Sequence, residues 1–375
     1  MRNTRRVLIG ILCGIILVLT GLLVYVIGFR GDFGFMDGNF KAELINTQSA
    51  SIEGVKNISI DAYSSEVIFI QGKGEEIEIK EYASNAKKDT FVEVDKNGDE
   101  LHIEVDESAF RSFMVFGSNQ RYFEVYLPDS YKGELNIDSD SGDVTSRMNL
   151  ELSNCKIDTS SGYIDVKNVK ASNITFSTSS GDVDAKTLAG KIDINTSSGY
   201  ISIENSIGDM NLDTSSGDVD LIKTEGNLDI NTTSGYVSID SGKGDKRIKT
   251  NSGDVDVNNS EGILDINTSS GYVEAIDIVG AAIITTSSGD IDVDFVEVTG
   301  DISLKATSGY IVCRCPENTA FSFKADTNSG DIETNFDNRL SYSKGGDSAE
   351  GAVGENAKYK ITLETTSGDI DLSKY

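Results

Sequence analysis

Leu228-Asp229-Ile230-Asn231-Thr232-Thr233-Ser234-Gly235-Tyr236-Val237-Ser238-Ile239-Asp240 is one unit of a pattern that dominates the chain. Apolar and polar residues alternate before the glycine and again after it. Period two is the mark of a strand with one buried face. Across Ser234-Gly235 the phase flips, so the chain must turn a corner there. Glycine is expected to supply the backbone angles for it. The same four inward slots hold Ile192, Ile194, Ile201 and Ile203 around Gly199, and Leu264, Ile266, Val273 and Ala275 around Gly271. From Gly181 to Gly289 the Ser/Asn-Gly pair recurs every 18 residues. A second glycine precedes it by nine, as at Gly190, Gly208, Gly226, Gly244 and Gly262. Corners therefore come about every nine residues. Such a period specifies stacked repeats, not a globular enzyme core. The pattern predicts an all-β chain, a β-solenoid of short-strand coils built on 18-residue repeats and joined by parallel ladders. Each inward aliphatic contributes roughly 1.5–3 kcal/mol when buried.

The residue after each corner glycine alternates: Tyr163, Asp182, Tyr200, Asp218, Tyr236, Asp254, Tyr272, Asp290, Tyr310. With an 18-residue coil, Asp and Tyr alternate along one edge and like charges stand about 9.6 Å apart. With a 36-residue coil, Asp would stack on Asp at about 4.8 Å. Charges that close repel by roughly 1 kcal/mol in water and by a few in a lower dielectric. The 18-residue coil is therefore expected. Thr196, Thr214, Thr232, Thr250, Thr268 and Thr286, three residues before the glycine, read as a structural hydroxyl ladder running up and down the stack.

Outside the repeats the chain divides further. Arg2, Arg5 and Arg6 precede an uncharged run from Val7 to Ile27. A helix of that length spans roughly 30 Å, a bilayer core. No cleavage site follows it. The expectation is a cytoplasmic stub (1–6), a single-pass transmembrane signal anchor (7–28) and a linker (29–55), with the acidic C-terminal ectodomain extracytoplasmic. Residues 56–135 read as an irregular leading β-section capping the stack. Residues 136–375 form the regular solenoid repeats, with a mobile loop near 341–357.

The formal net charge of -28 opposes nucleic acid and anionic lipid as direct partners. Four cysteines are too scattered for a disulfide framework, and Cys313 and Cys315, two apart on one strand, are poorly placed to bridge. His102, the single histidine, lies between inward Leu101 and Ile103 and so faces solvent. Nothing supplies a nucleophile and base pair, so the chain does not read as an enzyme. Arg247 is the one arginine between Gly162 and Gly309, unlike the Asp and Lys/Arg grooves of β-helical lyases.

Ser65-Glu66-Val67-Ile68-Phe69, the strand Val125-Tyr126-Leu127-Pro128, and the repeated Thr-Ser-Ser-Gly-Asp-Val-x-Val units carry a resemblance. Over about residues 40–375 the chain resembles the bacterial β-strand-repeat family of "putative adhesins", which includes LiaG-like membrane-anchored proteins encoded with cell-envelope-stress genes. The resemblance implies a non-enzymatic cell-envelope binding or structural module. It implies as an alternative a regulatory or sensory ectodomain in an envelope-stress response.

Two series carry candidate chemistry. Asp182/Asp184, Asp218/Asp220, Asp254/Asp256 and Asp290/Asp292 each place two carboxylates on one outward face, as a Ca²⁺ site requires. Calcium needs six or more oxygens, and the pattern guarantees two per repeat, so the expectation is a solvated acidic edge without a cofactor. Tyr163, Tyr200, Tyr236, Tyr272 and Tyr310 form the other series, a row of aromatics able to meet a glycan, the wall or a protein partner. The membrane itself is a partner through the N-terminal helix.

Overall fold

The computed structural model describes residues 42–84, 92–105, 121–336, 340–342 and 346–374. The stub and membrane span expected at 1–28 lie outside the described residues. Among the described residues no helix is long and apolar enough to cross a membrane. They are all strand, turn and bend.

Two parallel ladders run the length of a β-solenoid. One joins Val183 to Ile201, then Val219, Val237, Val255, Val273 and Ile291. The other joins Ile192 to Met210, Leu228, Lys246 and Leu264. Every step along these runs is 18 residues, so each coil is one Ser-Gly unit and Asp alternates with Tyr along one edge. The inward slots face a continuous core: Ile230, Val237 and Ile239 are fully buried, and Leu228 nearly so. Cys313 and Cys315 are buried there as free thiols, side by side on one strand.

In the regular coils the corner glycines do not take the role expected of them, although Gly368 in the last coil does, with φ 149°. Gly199, Gly217, Gly235 and Gly253 do not have positive φ. They are required because the coils touch there: a Cβ on Gly217 would stand 1.8 Å from Gly199 O. The second glycine series does use left-handed angles, as at Gly244 with φ 108°. The threonines also differ from expectation in the regular coils. Thr232 Oγ1 accepts the N–H of Gly235 in its own corner at 3.1 Å, and Thr214 does the same for Gly217 at 3.0 Å. They close turns within a coil; at the C-terminal end Thr365 Oγ1 does donate across coils, to Gly309 O.

Both ends of the stack are out of chain order. The coil 57–71 lies between the strands Glu100–Val105 and Arg121–Leu127 on one side and the coil 134–151 on the other. The last coil, 359–374, lies between 302–315 and 321–334. Antiparallel strands finish each end. Glu43–Ser51 pairs with Glu76–Ala83, which pairs with Arg121–Leu127. Ser348–Val353 pairs with Phe321–Ser329. Two segments expected to be irregular are therefore strand: Glu43–Ser51 within the linker, and Ser348–Val353 within the loop near 341–357. Their side chains are largely half-exposed or exposed, so backbone pairing rather than an apolar face holds them, and no alternation announces them.

Candidate functional site

The repeated corner places one residue after each close-packed glycine on an outward edge. Its backbone N–H has to find an acceptor. In alternate coils that acceptor is a carboxylate one coil away. Tyr163 N–H donates to Asp143 Oδ1, Tyr200 N–H to Asp182 Oδ1, Tyr236 N–H to Asp218 Oδ1, Tyr272 N–H to Asp254 Oδ1 and Tyr310 N–H to Asp290 Oδ1, each at 2.8 Å.

The second carboxylate of the pair looks the other way along the stack. Tyr200 Oη donates to Asp220 Oδ2 at 3.1 Å, and Tyr236 Oη donates to Asp256 Oδ2. Tyr272 Oη reaches Glu274 at 3.5 Å, in its own coil. The pair Asp218/Asp220 thus binds the tyrosine backbone of the next coil and the tyrosine hydroxyl of the preceding one. In the coils of Asp218/Asp220 and Asp254/Asp256 this two-directional bonding ties together the Tyr coils on either side. Burial, with the neighbouring carboxylates, pushes the hydroxyls of Tyr236 and Tyr272 up to about 12. They remain neutral donors at physiological pH.

The structure therefore brings both predicted series into one edge. Asp218, Asp254 and Asp290 are exposed there; Asp220 and Asp256 are half-buried under tyrosine hydroxyls. Asp184 is exposed, and partial burial, then Asp165 and Glu204, raise its carboxyl. Asp292 departs from the pattern, since it and Asp294 both accept Arg314 Nη1 at 2.6 Å. Among the described residues no cluster of three or more metal-ligating side chains is assembled. The tyrosine rings stay open to solvent, 55% exposed at Tyr163 and Tyr310 and 36% at Tyr272. His102 is half-exposed as expected, with Nδ1 2.8 Å from Ser59 Oγ.

Two features escaped the sequence reading. A second cap series runs along the other corner: Asn227 N–H donates to Asp209 Oδ1, Asp245 N–H to Asn227 Oδ1, and Ile263 N–H to Asp245 Oδ1. The other is Lys246, which fills an inward slot where Leu228 and Leu264 stand in the adjoining coils and is 1% exposed. Its ammonium donates to Gly242 O at 2.9 Å, Gly244 O at 2.8 Å and Glu261 O at 2.7 Å. Aligning the units would have shown it. The unit ending at Gly253 alone pairs a lysine in that slot with a glycine four residues earlier, where the units on either side carry Thr224 and Ser260. Gly242 leaves the room: a Cβ there would stand 2.8 Å from Lys246 Cε.

No curated protein matches the chain. A solved structure described as that of a "putative cell adhesion protein" from Clostridium sporogenes is similar at 12% identity. The match covers 89% of this chain and 100% of that one, with a TM-score of 0.21. A family model described as Toastrack DUF4097 matches residues 55–246 and again residues 243–373. Those two consecutive spans take in the leading β-section and every repeat, and the chain belongs to the Toastrack DUF4097 family.

Proposed function

We propose that this chain is a non-enzymatic surface module of the cell envelope. Residues 7–28 hold it in the membrane, and the acidic solenoid stands outside and presents one edge repeatedly to a partner. The observation that carries the reading is the Tyr–Asp edge. The same aromatic and carboxylate chemistry recurs on alternate coils from Tyr163 to Tyr310, which suits multivalent contact with an extended partner. Catalysis would gather unlike groups at one point, and the repeat distributes like groups along a line. The strongly negative surface directs the module toward neutral or cationic partners.

The test has two parts. Protease added to intact, wall-stripped cells should remove everything beyond the span while the protein fractionates with membranes. Purified full chain should sediment with isolated envelope material. Full protection from protease, or no co-sedimentation, overturns the proposal.

A further inference from the structure

We infer that the Tyr edge is a binding track for a linear β-1,4-linked amino sugar polysaccharide lying along the stack. This rests on the surface-module reading above and names its ligand. The Asp carboxylates at the corner are explained by the backbone N–H groups they accept, which any residue in the following coil would supply. The aromatic rings are not explained that way. Two hydroxyls, those of Tyr200 and Tyr236, reach carboxylates of the next coil, but the rings of Tyr163, Tyr200, Tyr236, Tyr272 and Tyr310 are not buried by it: the five residues keep between 36% and 55% of their surface in water.

The spacing of the rings is the second point. They recur on every second coil, about 9.6 Å apart. Successive sugars of an extended β-1,4 chain are flipped by half a turn, so the same sugar face recurs at every second residue, over a closely similar length. One tyrosine can then stack on every second sugar with no change of geometry along the track. The hydroxyl bonds to Asp220 and Asp256 fix two of the rings before any ligand arrives.

The third point is charge. Asp218, Asp254 and Asp290 are exposed between successive rings. Each uses one oxygen on a tyrosine N–H, out of roughly four acceptor positions on a carboxylate. Carboxylates alternating with rings match a polymer whose sugars carry free ammonium groups, and repel one that carries uronic acids or phosphates.

The experiment is calorimetric titration of the full chain with β-1,4-linked glucosamine oligomers of increasing even length. Affinity should rise with each added pair of sugars, as successive tyrosines engage. The triple variant Tyr200→Ala/Tyr236→Ala/Tyr272→Ala loses the cross-coil hydroxyl bonds and should melt lower, but at a temperature where it is still folded it should lose about tenfold or more in affinity for the longest oligomer. The corresponding triple Phe variant, which keeps the rings, should retain most of the binding. N-acetylated oligomers should bind at least about tenfold more weakly, because they carry no charge for the Asp rungs. Equal binding by the triple Ala variant overturns the track, and equal binding of N-acetylated oligomers overturns the amino sugar assignment. If the triple Ala variant still sediments with envelope material, the surface-module reading stands and this one falls.

Discussion

Raising the pH should stabilise this protein, through Lys246. Its side chain lies in the solenoid core, and burial lowers its ammonium to about 8. In the unfolded chain the same group titrates near 10.4. Below about pH 8 it is charged in both states, and the folded state bears a penalty of about 3 kcal/mol. Between about pH 8 and pH 10 the unfolded chain still binds a proton that the folded chain has released. Stability therefore rises with pH across that window, by up to about 3 kcal/mol. The surroundings tolerate the neutral amine. Gly242 O also accepts Glu261 N–H at 2.8 Å, and Glu261 O accepts Gly244 N–H at 3.1 Å, so two remaining amine donors leave no carbonyl bare. The tyrosines set the upper limit. Tyr236 and Tyr272 titrate at about 12 when folded and near 10 when unfolded, so the stability they contribute is lost as pH rises from about 10 through 12. The assay is urea unfolding at a series of pH values between about 7 and 10, for the native chain and for Lys246→Met, which keeps an unbranched side chain of similar length. The native midpoint should climb and the variant's should not. Parallel pH profiles would refute the reasoning, since they would mean that Lys246 keeps an ordinary pKa in the core.

The corner chemistry gives further expected outcomes. Gly235→Ala would place a Cβ 1.9 Å from Gly217 O and force two coils apart. It should cost about 3 kcal/mol or more in thermal or urea melts, while the neighbouring exposed Ser234→Ala changes little. Asp218→Ala orphans the N–H of Tyr236 and should cost about 1–2 kcal/mol; Asp218→Asn keeps the acceptor, removes a charge from the edge and should be near neutral. Ile230→Asp buries a carboxylate at a fully buried slot and should cost several kcal/mol, read as a loss of urea midpoint. Calcium should raise the melting temperature only slightly, because among the described residues no three ligating side chains converge to complete its oxygen shell; a steep rise with concentration would show that the edge carboxylates rearrange to coordinate it.

The coil itself was legible in the sequence because its causes are local. Period-two alternation with a phase flip at Gly235 places Leu228, Ile230, Val237 and Ile239 inside, and like-charge repulsion between stacked aspartates selects the 18-residue coil over the 36-residue one. What was not legible depends on which coil lies against which. Gly217 reads as a flexible corner until Gly199 O is seen against it. Thr232 reads as a rung between coils until its hydroxyl is found closing its own turn. The Asp and Tyr series were both visible as candidates, but their reciprocal bonding appears only when Tyr200 and Tyr236 are set on either side of Asp218 and Asp220. Lys246 was hidden because hydropathy assigns a lysine to the surface, and only its glycine partner at 242 makes room for it.

The order of the coils at the two ends bears on how the molecule meets mechanical load. Held in the membrane at one end and gripping a partner elsewhere, as proposed above, the module would be pulled along its chain. In a simple stack the terminal coil would peel away, breaking one ladder a few hydrogen bonds at a time. Here the coil nearest the N-terminus, 57–71, is hydrogen-bonded to neighbours on both sides, as is the coil that ends the chain, 359–374. Tension on the N-terminal side would first unzip the edge strand Glu43–Ser51, and then meet a coil that can leave only by shearing two ladders together. Resistance to force is set by the unfolding rate rather than by equilibrium stability. Burying the first and last coils one layer deep removes the frayed ends at which a repeat array would otherwise start to unravel.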